Sequence, residues 1–217
     1  ATDRQAIVDL ALLGRGEPLF GGPIGPSTQP FYNGLDTFAS APDLDKAREL
    51  VATAGYANGV EVQGVVEAGS RFADVLEVLQ QQWAEIGVNI VINAIEAGAA
   101  RARRREGDYD VAVNGWGTLV DPHDFTGENF YTGGGLNFGK CGDATLDDLL
   151  DQGVRTPAFE ERKEIYRQQE EYLLNEAVPY VFLYRPYEFA AYQNAVNGLK
   201  HEAGRTRISL EETWLNL

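Results

Sequence analysis

The chain has little of what would name a chemistry outright. It carries one cysteine, Cys141, in 217 residues, so no internal disulfide can form and no cysteine set can hold a metal. A lone thiol neither demands nor excludes an oxidising compartment. Histidine is nearly as scarce, with His123 and His201 far apart in the chain. Basic residues number 18 against 33 acidic ones, a formal charge of −15. Such a surface repels phosphate backbones and anionic lipid, which argues against nucleic acid as a partner. The one concentrated basic stretch, Arg101 to Arg105, reads as the solvated face of a helix. No run of about eighteen apolar residues exists, so no membrane-spanning helix is expected. The first residues, Ala1 to Val8, are neither basic nor apolar enough for a signal peptide. The chain begins without methionine, and Ile7, Val8, Leu10 and Ala11 lie at helical spacing from its first residues. It therefore reads as starting inside a helix and as a mature or excised part of something longer.

What is present is ample material for a core. The apolar fraction is 44%, enough for one large domain or two small ones. Residues 14–42 are rich in glycine, proline and aromatics without periodicity, a functional loop or a wrap-around connector. From Asp43 a regular pattern begins. Asp43 caps a helix with Leu44, Ala47, Leu50, Val51 and Ala54 on one face, ended by Gly55. Glu61 to Val66 follows as a strand, then a helix from Ser70 bearing Phe72, Val75, Leu76, Leu79, Trp83 and Ile86, stopped at Gly87. Val88 to Ile95 is apolar on both faces and predicts a central strand. A helix over 96–106 and a strand over 109–113 complete an alternation that argues for an α/β layered domain. Thr145 caps a short helix bearing Leu146, Leu149 and Leu150, and Thr156 with Pro157 opens a longer one with Glu160 and Glu161 in its first turn. Strands are expected again over 179–184 and 188–192, before a polar, loosely patterned tail.

The chemistry-bearing patterns are few. Asp121, His123 and Asp124 form the best cluster for a metal-dependent hydrolase, against which stands a plain reading as an Asp-Pro turn. None of Ser27, Ser40, Ser70 and Ser209 lies in a nucleophile elbow. Gly133-Gly134-Gly135 precedes no Lys-Ser/Thr pair, and Gly14-Arg15-Gly16 follows helical material instead of a strand. A binding module accounts for more residues. The strand at Tyr109 to Val113 empties into Asn114-Gly115-Trp116-Gly117-Thr118-Leu119-Val120-Asp121-Pro122. Gly115 and Gly117 allow close backbone approach, and Trp116 offers an apolar face with one N–H donor. With Asn137 and Phe138 downstream, these are the apolar walls and placed polar groups of a small-solute pocket.

These residues carry a resemblance to the family 5 extracellular solute-binding proteins, the ABC-transporter receptors for oligopeptides, dipeptides and nickel, in their carboxy-terminal part. The markers run in order through Asp3-Arg4-Gln5-Ala6-Ile7-Val8, Gly22-Pro23-Ile24-Gly25-Pro26, Asp45 to Leu50 with Ala54-Gly55-Tyr56, and Leu79-Gln80 with Ile86-Gly87-Val88. Gly107-Asp108-Tyr109-Asp110, Gly115-Trp116 with Asp121-Pro122, and Asn137 with Leu149-Leu150 complete the series.

The resemblance implies an α/β lobe of the periplasmic-binding-protein type II kind, with a mixed sheet flanked by helices. Residues 1–20 would be a connector from an amino-terminal lobe, 21–196 the ligand-binding lobe, and 197–217 a return segment toward the other lobe. It implies a non-catalytic receptor, periplasmic or attached to the cell surface as a lipoprotein. Such a receptor closes over a small solute, most commonly a peptide, and delivers it to a membrane permease without cofactor or metal. The expected wall is Asn114, Gly115, Trp116, Gly117, Thr118, Leu119, Asp121, Asn137 and Phe138. One departure stands out: peptide-binding members carry an aspartate where this chain has Leu119. The loop is also one residue shorter than theirs, closer to the nickel-binding member. Either Asp121 substitutes as partner of a peptide amine or the ligand is not a peptide, since relatives carry oligosaccharides, opines and metal chelates.

Overall fold

The computed structural model describes residues 1–26, 30–38, 40–117, 121–201 and 208–216. Its organising element is a parallel three-stranded sheet in the order β3-β2-β4, with β2 at Val60–Glu67, β3 at Val88–Ile95 and β4 at Val111–Ala112. β2 and β3 pair over their full length, from Val60 opposite Val88 to Glu67 opposite Ile95. Helix α3 (Arg71–Ala84) connects these two, and α4 (Ala97–Glu106) carries the chain back across to β4. Because both crossovers of such a sheet are right-handed, the reversal of direction puts α3 and α4 on opposite faces. Val65 and Val66, adjacent in β2 and pointing oppositely, are accordingly both fully buried.

The expectation of a central β3 is thus corrected: β3 lies at the edge and Val91 is exposed on its outer face. The central strand is β2, whose Gln63, Gly64 and Glu67 disguise it in the sequence. Gly64 is there because a Cβ would lie 2.7 Å from Ile90 Cγ2 and 3.1 Å from Leu76 Cδ2. Strand β4 is shorter than the expected 109–113. At its start the Asp110 carboxylate accepts the Gln63 N–H at 2.7 Å while Asp110 N–H donates to the Gln63 carbonyl, so a side chain stands in for part of the ladder.

Helix α1 (Arg4–Ala11) starts with Asp3, whose carboxylate accepts the Ala6 N–H. The chain therefore does not begin inside this helix, contrary to the sequence reading. Ile7 and Leu12 join Val66, Val75, Leu76, Leu79, Ile90 and Val113 in one apolar cluster, so residues read as a connector contribute to the core of the sheet. Each such side chain contributes about 1.5–3 kcal/mol on burial. Strand β1 (Gly16–Pro18) pairs antiparallel with β5 (Tyr184–Pro186). Of the two strands expected over 179–184 and 188–192, only this short piece forms, and just before it the Phe182 carbonyl is taken by Arg4 Nε.

Helix α2 (Leu44–Val51) is capped by Asp43 as expected, yet none of its residues is buried and Leu50 is well exposed. Its apolar stripe is not packed into the core. Helix α5 spans His123–Phe130, α6 spans Ala144–Arg155 and α7 spans Phe159–Tyr172. Asp143, not Thr145, caps α6, accepting from the N–H groups of Thr145 and Leu146. Helix α7 starts two residues later than the Thr156-Pro157 signal, with Ala158 at the cap position. Phe130, Leu146, Leu150 and Leu173 form a second cluster and Ile24, Phe31 and Tyr166 a third. Near the end, β6 (Val196–Asn197) pairs with β9 (Trp214–Leu215), and β7 (Lys200–His201) with β8 (Ile208–Ser209), both antiparallel.

Candidate ligand-binding site

In an open parallel sheet, ligands settle outside the carboxyl ends of the strands, where the strand order reverses. Here that point lies between β2 and β4. The chain leaves β2 at Glu67 through Ala68, Gly69 and Ser70 into α3, and leaves β4 through Val113 into Asn114, Gly115, Trp116 and Gly117. The two loops touch: a Cβ on Gly115 would stand 2.6 Å from Phe72 Cζ at the start of α3. Any larger residue at 115 would have to displace the Phe72 ring. Val113 is buried in the core of the sheet, while Asn114, Gly115, Trp116 and Gly117 are exposed.

Trp116 is 38% exposed, so one part of the indole is anchored and another is open to a ligand. The anchor is Phe125 of α5, edge-on at 5.7 Å between ring centroids. Phe125 in turn meets Phe130 at 5.3 Å and Phe182 at 6.2 Å, and Phe130 meets Tyr180 at 5.4 Å. Such edge-to-face contacts fix ring orientation. Thr118 and Leu119, expected in the same wall, lie outside the described residues, as does Val120.

The other expected wall residues have work elsewhere. Asp121 faces Arg162 of α7 through two parallel bonds, Nη1 to Oδ2 at 2.7 Å and Nη2 to Oδ1 at 2.8 Å. Its Oδ1 also accepts the His123 N–H at 2.9 Å and the Tyr166 hydroxyl at 3.1 Å. Burial opposes ionisation of Asp121, but the Arg162 guanidinium and these donors override it and hold the carboxyl below its usual range. Asp124 Oδ2 accepts the Asp121 N–H at 3.1 Å, and the His123 ring lies where a Cβ on Gly127 would be. The Asp121, His123 and Asp124 cluster is thus a hydrogen-bonded turn leading into α5, whose cap position is Pro122, and among the described residues no group of three or more His, Cys, Asp or Glu could hold a metal.

Asn137 closes its own loop. Its Oδ1 accepts the Cys141 N–H at 3.1 Å, and its amide donates to the Tyr131 carbonyl at 3.0 Å and to the Cys141 carbonyl. Phe138 is buried, with the Arg104 guanidinium 5.7 Å from its ring centroid. That contact also draws Arg104 partly out of the solvated basic face expected for residues 101–105. The geometry brings Asn114, Gly115, Trp116 and Gly117 together at the sheet edge, and commits Asp121, Asn137 and Phe138 to loops and core.

The sequence did not single out Arg162, Tyr166 or Glu170. Glu170 is 1% exposed; Oε1 accepts the Ile24 N–H at 2.9 Å and Oε2 the Asn33 amide at 2.6 Å. Burial pushes its carboxyl up to about 7 against those two bonds. Gly22 is required beside it, since a Cβ would lie 2.4 Å from Oε1. A visible signal was the i, i+4 spacing of Arg162 and Tyr166. Glu170 sits in a run of charged residues that looks like surface. A cavity of about 130 Å³ lies inside the loop between β1 and α2, lined by Leu19, Phe20, Ile24, Tyr32 and Leu35. It is smaller than the roughly 300–1,000 Å³ of pockets that bury a small-molecule ligand.

Comparison with known proteins fits this arrangement. The family model described as bacterial extracellular solute-binding proteins, family 5 Middle, matches residues 1–138. Di/tripeptide-binding protein 1 of Pseudomonas aeruginosa is 34% identical over 190 residues, covering 82% of this chain and 34% of its own length. Heme-binding protein A of Haemophilus influenzae is 27% identical, covering 91% of this chain and 37% of its own. The chain thus spans little more than a third of these curated relatives. Among solved structures, HbpA2 from Haemophilus parasuis superposes with a TM-score of 0.82 at 26% identity, covering all of this chain and 43% of that one. The oligopeptide-binding protein AppA from Bacillus subtilis, in complex with a nonapeptide, gives 0.83 at 23% identity over the whole chain and 46% of its own, a likeness of fold. This chain belongs to family 5 of the bacterial extracellular solute-binding proteins.

Proposed function

We propose that this chain forms one wall of the ligand cleft of an ABC-importer receptor, and that its ligand is a short peptide. The observation that carries the reading is the half-exposed Trp116 platform beside Gly115 and Gly117 at the switch point of the sheet. An indole held edge-on by Phe125 gives a ligand an apolar face, and exposed backbone at the two glycines gives it hydrogen-bonding groups. The wall comprises Asn114 to Gly117 among the described residues. Relatives named for di- and tripeptides support the ligand class. The ligand is enclosed from the other side by a second lobe, toward which residues 197–217 return, and the partner is a membrane permease. The protein works outside the cytoplasm, periplasmic or lipid-anchored, and performs no catalysis. No helix among the described residues is long and apolar enough to cross a membrane.

A peptide amine needs a counter-charge, because a buried ammonium without one is costly. Asp121 is engaged by Arg162, so it does not serve. Glu67, exposed where β2 ends at the same edge, is the group we assign to it. A thermal-shift panel of dipeptides, tripeptides, oligosaccharides, opines, nickel chelates and haem tests the ligand class. A ligand at a hundred times its dissociation constant raises stability by about 2.7 kcal/mol. Di- and tripeptides are expected to raise the melting temperature, and less so when N-acetylated. A rise with haem, sugars or chelates alone would remove the peptide reading.

A further inference from the structure

A loop that presents a ligand wall must be held still, and exposed glycine-rich backbone cannot do this alone. Among the described residues, 114–117 make one ring–ring contact, from Trp116 to Phe125, besides the close approach of Gly115 to Phe72. Phe125 rides on α5, and the first turn of α5 is fixed by Asp121. What fixes Asp121 is Arg162. Its Nη atoms grip both carboxylate oxygens, its Nε donates to the Gly153 carbonyl of α6 at 2.6 Å, and Nη2 also donates to the Tyr166 hydroxyl at 2.6 Å. The guanidinium carbon lies 5.2 Å from the Phe31 ring centroid and 5.0 Å from that of Tyr166. Phe31 belongs to the glycine- and proline-rich loop between β1 and α2, where Glu170 holds Ile24 and Asn33. One guanidinium therefore joins the entry to α5, the end of α6, helix α7 and the 20–38 loop.

We propose that Arg162 is the positioning residue of the ligand wall: it sets the place and order of Trp116 through Asp121, α5 and Phe125 without touching the ligand. The proposal rests on the receptor reading for its functional meaning, but its structural content can be tested separately. The planar fork is what the geometry uses. A lysine ammonium keeps the charge but cannot grip both oxygens, reach Gly153 and lie between two rings at once. Arg162 also explains why Asp121 is not available to a ligand amine.

The test is 19F NMR of the chain labelled with 5-fluorotryptophan, whose three indole signals come from Trp83, Trp116 and Trp214. The Trp116 signal is assigned by its loss in Trp116→Phe. Arg162→Met is expected to shift or broaden the Trp116 resonance while Trp83 stays in place, and Arg162→Lys to give an intermediate signal. Ile7→Ala, which destabilises the sheet core, is the control for lost stability alone and is expected to leave Trp116 where it was. Should Arg162→Met fail to fold, Asp121→Asn removes the ion pair while leaving Arg162 its bonds to Gly153 and Tyr166, and a smaller shift in the same direction is expected. An unmoved Trp116 signal in a folded Arg162 or Asp121 variant would overturn the proposal, as would an equal shift in Ile7→Ala or full restoration by lysine. In parallel, peptide affinity is expected to fall about tenfold in Arg162→Met and to hold in Ile7→Ala. Absence of peptide binding by the unsubstituted chain joined to its second lobe would count against the receptor reading, while the Trp116 signal alone decides the role of Arg162.

Discussion

The sheet region, residues 4–113, and the helical region, residues 114–177, hold their shape by different means. In the first, Ile7, Val66, Val75, Leu76, Leu79 and Ile90 pack as one apolar cluster across the ladder of β2 with β3. In the second, apolar clusters exist, but the loops between helices are placed by buried or half-buried polar groups. Arg162 holds Asp121, Asn137 closes 131–141, and Glu170 reaches out of this region to hold Ile24 and Asn33 of the loop between β1 and α2. Apolar burial is strong and non-directional, so it stabilises a layer without specifying a loop. Directional bonds in a low-dielectric setting specify position at a high cost when one partner is removed. The proposed ligand wall lies where the two regimes meet, on a strand end fixed by the core and a turn fixed by a guanidinium.

The comparison breaks most readily in the core. Leu76 is fully buried between α3 and the sheet, so Leu76→Ala is expected to cost about 2–5 kcal/mol in chemical denaturation, with Trp116 little changed. A loss below about 1 kcal/mol would mean that the cluster is not what holds the sheet.

Glu170 gives the polar region a pH signature of its own. Its carboxyl is raised in the folded chain from about 4.5 to about 7, so between those values the folded state binds the proton that the unfolded state has released. Stability from this group is therefore fully present below about pH 4.5 and falls as pH rises through 7, by up to about 3 kcal/mol at 1.36 kcal/mol per unit. Denaturation at pH 5 and pH 7.5 is expected to show this slope, and Glu170→Gln to flatten it. An unchanged slope in the variant would assign the pH dependence to other groups.

Asn137→Ala leaves the Cys141 N–H and the Tyr131 carbonyl without their partner, and about 1–2 kcal/mol is expected to be lost. Hydrogen exchange should localise that loss to 131–141, whereas spread into β2 and β3 would dissolve the distinction between the regions.

The layered order of the sheet region was legible because apolar residues recur at helical spacing in Phe72, Val75, Leu76 and Leu79 and glycines punctuate it at Gly87 and Gly107. The order of strands within the sheet was not. Val88 to Ile95 looks more buried than it is, and Gly64 makes the true centre look weak, though its missing Cβ is what allows Ile90 and Leu76 to close over it. At the proposed site, the Gly-Trp-Gly loop stands out by composition. The roles of Asp121, Asn137 and Phe138 did not, since an aspartate reads the same whether it faces a ligand or an arginine 41 positions away. Nor does local pattern distinguish buried Glu170 from its half-buried neighbour Glu171.

The most direct test of the account is Trp116→Ala, read for stability and for peptide affinity on the same preparation. Trp116 is half open and makes one ring contact, so a stability loss below about 1 kcal/mol is expected together with a fall in di- and tripeptide affinity of about tenfold or more. A large loss of stability with unchanged affinity would contradict it, making Trp116 a packing residue and placing the ligand elsewhere.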